Sequence, residues 1–119
     1  SALLKRVMGK EKLLRVLVES FIEQMPSRII QLHDEVMLCD AISVKRDSKH
    51  HQNIQNIAHT IKGVAGNLSC ILLQEKANLL EQVAKEKTGG YQPLMENIET
   101  SYFILKGLFN EFLNVDNTL

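Results

Sequence analysis

Apolar residues recur three or four positions apart along almost the whole of this 119-residue chain. This spacing places them on one face of an α-helix, and no segment shows the alternation that is typical of a β-strand. Four long amphipathic helices joined by short connections bury their apolar faces in an antiparallel bundle. The sequence therefore predicts an all-α fold with one domain over residues 1–119, an antiparallel four-helix bundle with a short additional N-terminal helix. The predicted helices cover residues 2–8, 10–44, 49–67, about 70–87 and 93 onwards.

Local signals predict where these helices end. Pro26 removes one backbone donor from the first long helix, so we expect a bend or a short break near residues 24–26. Asp47 or Ser48 is the expected N-cap of the second long helix, and Ser69 is the expected N-cap of the third. Gly89-Gly90 is the expected stop after the third.

Charge and cysteine content argue against several functions. Lysine plus arginine and aspartate plus glutamate number 14 each, so the formal net charge is zero and attraction to a nucleic-acid backbone is not expected. Cys39 and Cys70 lack the spacing of a zinc site or a disulfide framework, which favours a reducing compartment. No apolar run approaches the ~20 residues of a membrane span. We therefore expect a cytoplasmic domain that contacts neither nucleic acid nor membrane.

The segment IAHTIKGVAGNLS, residues 57–69, carries the most informative pattern. On a helical wheel His59 lies away from the apolar positions, and Lys62, Gly63 and Gly66 fall within about 60° of it. A histidine in a helical protein is most often a core residue, but this geometry predicts an exposed one. Each glycine costs roughly 1 kcal/mol relative to alanine inside a helix, so two of them beside the histidine call for an explanation.

An exposed imidazole followed one turn later by an ammonium suits phosphoryl chemistry. The neutral ring offers a nucleophilic nitrogen near pH 7, and Lys62 can reach oxygens attached to that nitrogen. Gly63 and Gly66 would leave the backbone bare, so that the active site of another protein can approach His59. A helix C-cap at Gly66-Asn67 or close approach of a neighbouring helix would also explain the glycines. On the residues alone, a plain solvated face is the simpler interpretation of His59 and Lys62.

AHTIKGVAGNLS resembles the phosphoacceptor signature of the histidine-containing phosphotransfer (HPt) domain, in which an H-x-[LI]-K-G core is followed by a small residue and further glycines. His59, Lys62 and Gly63 match that core. Two more segments resemble the family in the same order, FIEQMPSRIIQL at residues 21–32 and ANLLE at residues 77–81. The resemblance thus extends over nearly the whole chain.

This resemblance implies that His59 accepts a phosphoryl group from an aspartate of a response-regulator receiver domain and passes it to the aspartate of another. It also implies that Lys62 stabilises the phosphoryl group and that Glu81, on the next helix, orients the imidazole. Magnesium would belong to the receiver, and this domain would hold no cofactor or metal of its own. We expect the isolated domain to be a monomer.

Because the chain begins abruptly inside a helix, we also expect it to be the C-terminal module of a hybrid sensor histidine kinase, anchored in the inner membrane through its parent.

Other functions remain open at this point. A four-helix adaptor could bind a protein partner through the same face without phosphate chemistry, although it would not need the His59/Lys62 pair. A metal or haem site could use His33 and His59. His50-His51 is a weaker metal candidate, because neighbouring helical positions point about 100° apart, and a solvated helix start is expected there. No glycine-rich nucleotide loop is present, so autonomous kinase activity is not expected.

Overall fold

The computed structural model describes residues 2–41 and 48–118, with the side chains of residues 8–40 and 48–114. This part of the chain forms four helices: α1 (Ala2–Ala41), α2 (Lys49–Asn67), α3 (Ile71–Glu86) and α4 (Gln92–Thr118). Each helix packs against the next and α4 returns to α1, so the helices surround one core. The predicted all-α four-helix bundle is confirmed. No helix in the described part is long and apolar enough to cross a membrane.

The core lies where the apolar faces of the four helices meet. Burial of apolar surface contributes roughly 25 cal/mol per Å² and is the main source of stability in such a bundle. The short α2–α3 turn makes a hairpin of these two helices, which packs on the α1/α4 pair. The large side chains at the centre are almost inaccessible to solvent, namely Phe21, Met25, Leu32, Ile54, Ile61, Leu73, Leu80, Met95 and Ile98.

Helix α1 is more continuous than the sequence predicts. Residues 2–8 form its first turns rather than a separate helix, because the single Gly9 weakens a helix by only about 1 kcal/mol. Pro26 lies inside α1 and no break follows it. Met25 and Ile29 are buried on either side, and their burial offsets the missing hydrogen bond. The predicted end near residue 44 lies outside the described residues.

Helix α2 spans residues 49–67, as predicted. Ser48 is its N-cap, and the Ser48 hydroxyl accepts a hydrogen bond from the backbone N–H of His50 at 3.2 Å. One of the two N-caps predicted from the sequence is thereby confirmed. The other, Asp47, lies outside the described residues.

Each end of α3 differs from the predicted bounds by about one residue, and its N-cap differs from the predicted one. Cys70 and not Ser69 is the N-cap, because Ser69 has a left-handed φ of 56° and its N–H donates back to the Gly66 carbonyl. A residue in that conformation closes the preceding helix and cannot adopt the extended conformation of an N-cap. At its other end α3 stops at Glu86, shortly before the predicted stop at Gly89-Gly90.

A residue of α1 caps the start of α4. The Asp40 carboxylate accepts hydrogen bonds from the backbone N–H groups of Gly90, Tyr91 and Gln92 at 3.1, 3.3 and 2.9 Å. The first N–H groups of a helix have no partner within it, and an anion there also complements the helix dipole. Asp40 therefore joins α1 to the α3–α4 connection.

Candidate functional site

His59 lies on the solvent-facing side of α2. Its side chain is 68% exposed, whereas Ile54, Ala58, Ile61 and Ala65 of the same helix are buried. The helix therefore separates a histidine face from a core face, as the helical wheel predicts. His59 is available to another molecule.

A buried carboxylate of α3 holds this histidine. Glu81 Oε1 lies 2.9 Å from His59 Nδ1, and Glu81 Oε2 lies 2.7 Å from Lys62 Nζ. The Glu81 side chain is only 6% exposed. The Lys62 ammonium also donates to Asn78 Oδ1 at 3.4 Å. One carboxylate thus connects the imidazole and the ammonium that stand one turn apart on α2.

The contact with Glu81 determines which nitrogen of His59 can react. A carboxylate is a hydrogen-bond acceptor, so Nδ1 carries the proton and donates it to Oε1. Nε2, at the distal end of the exposed ring, then carries the free lone pair. The arrangement presents an oriented nitrogen nucleophile to solvent, with a cation beside it.

The two partners of Glu81 keep it ionised in spite of its burial. Burial is the largest single influence and would raise the pKa of the Glu81 carboxyl. The hydrogen bonds and charges of Lys62 and His59 outweigh it together, and the pKa falls below the ordinary value of 4.5. The buried carboxylate therefore stays negative at neutral pH.

This shift predicts an acid-dependent contribution of Glu81 to stability. Because the folded-state pKa is lower than the unfolded one, the contribution is fully present well above pH 4.5 and is lost as the pH falls through the folded-state pKa. We expect the free energy of unfolding of the wild type, relative to Glu81→Gln, to decrease between about pH 5 and pH 3. Denaturant titrations of both variants across this range measure the difference, in which the other carboxyl groups cancel. A difference that stays constant or rises towards pH 3 would contradict the shift.

The two glycines of the motif have different surroundings. A Cβ atom added at Gly63 would meet nothing within 4 Å, so the space above it is open. At Gly66 a Cβ atom would lie 2.9 Å from Nε2 of Gln74, at the far end of a flexible side chain of α3. Gly63 therefore borders solvent beside the histidine, whereas Gly66 leaves room for the end of the Gln74 side chain.

The other histidines have carboxylate or hydroxyl partners of their own. His33 Nδ1 lies 3.0 Å from Glu99, between α1 and α4, and His50 Nδ1 lies 2.6 Å from Glu35. His51 is not solvated as predicted but buried, because the Tyr91 hydroxyl covers it at 2.6 Å from Nδ1. Within residues 8–40 and 48–114 no group of three His, Cys, Asp or Glu side chains is placed to hold a metal.

Sequence reasoning missed part of this arrangement. The resemblance assigns Glu81 to His59, but nothing in the pattern shows that the same carboxylate pairs with Lys62. Asn78 was missed as well. A signal exists in the spacing, since residues three apart on α3 share a face, as do His59 and Lys62 on α2.

Comparisons with known proteins agree with the geometry. A sequence model of the Hpt domain matches residues 16–114. Among solved structures, the chain is similar to the crystal structure of histidine-containing phosphotransfer protein B (HptB) from Pseudomonas aeruginosa PAO1, with 27% sequence identity and a TM-score of 0.71. That similarity covers 92% of this chain and 86% of the other. No curated protein gives a significant match.

Proposed function

This chain belongs to the Hpt domain family and is a phosphorelay intermediate, and we propose that His59 is the residue that carries the phosphoryl group. The group comes from an aspartyl phosphate on a response-regulator receiver domain and passes to the aspartate of another receiver. The observation that carries the assignment of His59 is its hydrogen bond to Glu81, because this bond aims a free Nε2 lone pair at solvent.

The transfer needs no proton to move. The Nε2 lone pair attacks phosphorus as the aspartate oxygen leaves on the opposite side, so an N–P bond forms while a P–O bond breaks. Nδ1 keeps its proton, and the phosphorylated ring becomes cationic. The Glu81 carboxylate 2.9 Å away stabilises that charge. The reverse sequence delivers the group to the second receiver.

Lys62 supplies positive charge next to the reacting nitrogen. In the resting domain its ammonium is paired with Glu81, and its side chain is 27% exposed. We propose that the ammonium also contacts the phosphoryl oxygens once they arrive on Nε2, since charge-assisted contacts of this kind hold phosphoryl groups strongly. The magnesium ion is proposed to belong to the receiver, so that this domain contributes a nucleophile, a cation and a docking surface.

Replacing Lys62 by alanine is expected to slow transfer about tenfold or more, because the phosphoryl oxygens lose a cationic partner. It should also lower the free energy of unfolding by about 1–3 kcal/mol, because the buried Glu81 carboxylate loses its cationic partner and keeps only the hydrogen bond from His59. Rapid-quench phosphotransfer and denaturant unfolding measure the two effects. Lys62→Arg, which keeps the charge, should recover part of both.

Lys76→Ala is the matched control for this change. Lys76 is also a half-buried lysine, and its Nζ lies 2.6 Å from the Ser101 hydroxyl, away from His59. Its loss should leave the transfer rate within a factor of about two of the wild type. If both alanine variants slow transfer equally, Lys62 has no specific role in stabilising the phosphoryl group.

We propose that the domain lies in the cytoplasm. Cys39 and Cys70 are both free thiols, which supports a reducing, cytoplasmic location. We further propose that the domain does not bind nucleic acid, in keeping with its zero formal net charge. We also propose that it is the C-terminal module of a hybrid sensor kinase.

Incubation with a phosphorylated receiver tests the function. We expect label to move from the receiver to this domain and to be stable in alkali but labile in acid, as a phosphohistidine is. The rival function, an adaptor that binds through the same face, predicts a receiver complex without any transfer. Binding with no label on this chain, using a receiver that transfers to another Hpt domain, would favour the adaptor.

A further inference from the structure

The helices differ in length, and one end of the bundle therefore contains only two of them. Helices α2 and α3 have 19 and 16 residues, against 40 and 27 for α1 and α4. The hydrogen bond between Asn53 and Glu35 aligns α2 with α1, and the one between Lys76 and Ser101 aligns α3 with α4. Counting along the antiparallel helices, the α2–α3 hairpin ends beside about residue 20 of α1 and about residue 106 of α4.

We name residues 8–20 of α1 and 106–114 of α4 the extension. Glu35 lies on the side of α1 that faces α2. When this side is followed towards the start of α1, at every third or fourth position, it forms a row of residues that reaches Leu17 and Leu13. Leu13 is 60% exposed there, because no helix of the hairpin reaches it. Lys10 follows at the outer end of the row. The α1 row thus continues with two leucines after its covering helix has ended.

The same holds for α4. Its row facing α3 runs from Ser101 through Leu105 and Leu108 to Phe112, and Leu108 is 55% exposed. At the start of this uncovered part lies a cleft of about 400 Å³ whose lining includes Leu108 and Ile71, which is 62% exposed at the hairpin end. The extension therefore presents an apolar face that is two helices wide, where a longer hairpin would have packed.

We infer that this face binds the extension of a second copy of the chain. Two extensions placed face to face around a twofold axis give four helices around a shared core, which is the arrangement the rest of the bundle already has. A face two helices wide is covered by two helices, and a single partner helix would leave part of it exposed. This inference departs from the sequence-based expectation of a monomer and does not depend on the proposed phosphotransfer.

The size of the face agrees with a dimer. Its footprint is about 20 Å along α1, about 13 Å along α4 and about 20 Å across two helices of ordinary diameter. The hairpin end adds the exposed side chains of Ile71 and Leu72. A stable interface takes about 800 Å² of accessible surface from each partner, and a corrugated face of this footprint with its rim supplies an area of that order.

Such a dimer leaves His59 of both copies accessible to solvent. His59 lies on the hairpin, eight residues before the last residue of α2, whereas the extension lies beyond the hairpin. The partner would therefore sit against the end of the hairpin and not over its histidine face.

Sedimentation equilibrium of the whole chain tests the inference. We expect the mass of two chains at about 100 µM and of one chain on sufficient dilution. The double variant Leu13→Lys with Leu108→Lys should weaken the dimer at least about 100-fold, because it places charges in the apolar centre of the interface. Leu13→Ala with Leu108→Ala adds no charge and should weaken it about tenfold.

Ile30→Lys with Phe103→Lys is the matched control. These residues lie on the same two helices and are 62% and 59% exposed, but outside the extension. The control should dimerise like the wild type, and circular dichroism should show equal helix content in all variants. A wild type that stays a single chain up to about 1 mM, a lysine face variant that still dimerises, or a monomeric control would each overturn the inference.

Discussion

Replacing His59 by glutamine is expected to abolish the transfer of label from a phosphorylated receiver to this domain. Glutamine has no nitrogen lone pair of comparable nucleophilicity, so the step that forms the N–P bond is lost entirely. Its side-chain N–H can still donate to Glu81, and the site is 68% exposed, so the free energy of unfolding should change by about 0.5 kcal/mol or less. Acid-labile label and thermal unfolding are measured on the same samples.

His33→Gln is the matched control for this substitution. His33 is also exposed and also pairs with a carboxylate, since its Nδ1 lies 3.0 Å from Glu99. The control should accept label like the wild type. Label that persists on His59→Gln, or that disappears from His33→Gln, would show that another residue carries the phosphoryl group.

Gly63→Leu is expected to separate folding from function. Leucine is the better helix former by somewhat less than about 1 kcal/mol, and an added Cβ at Gly63 meets nothing within 4 Å, so the domain should become slightly more stable. The leucine side chain would occupy the open space next to His59, where a receiver has to bring its aspartyl phosphate in line with Nε2. A displacement of about 1 Å in such a step can cost about 100-fold in rate, and we expect a loss of that order.

Gly107→Leu controls for the helix effect alone. Gly107 is also an exposed helical glycine with no atom within 4 Å of an added Cβ, and it lies on α4, away from the hairpin that carries His59. It should stabilise the domain as much as Gly63→Leu and leave transfer unchanged. Receiver affinity, transfer rate and melting temperature are measured for both variants. If Gly63→Leu unfolds the domain, or transfers at the wild-type rate, Gly63 does not provide clearance for a receiver.

Helix positions could be predicted from the sequence wherever one helical face is clearly apolar. The bounds of α2 and the exposure of His59 follow from the spacing of Ile54, Ile61 and their neighbours, because periodicity alone decides which side of a helix is buried. The N-cap of α3 could not be predicted as well. Ser69 has the composition of an N-cap, but its backbone conformation depends on how α2 ends.

The features that the sequence did not predict depend on tertiary contacts. His51 looks like a solvated residue at a helix start, yet a tyrosine that follows it by 40 positions in sequence covers it. The pairing of Lys62 with Glu81 likewise joins two helices. Local patterns identify the residues of α2 that can carry the chemistry. The carboxylate that orients His59 and pairs with Lys62 is brought to them by the packing of α3 on α2.

The hydrogen bond between Glu81 and His59 also has a chemical consequence for the product. Imidazole can be phosphorylated on either nitrogen, and the two regioisomers differ in hydrolysis rate and in ³¹P chemical shift. Nδ1 holds a proton, which it donates to the Glu81 carboxylate, and so has no free lone pair. On the folded domain we therefore expect only the isomer that carries the phosphoryl group on Nε2, the τ isomer. Under the role proposed for His59, a buried glutamate would thereby decide which regioisomer carries the signal, and a reagent specific for the π isomer would not detect it.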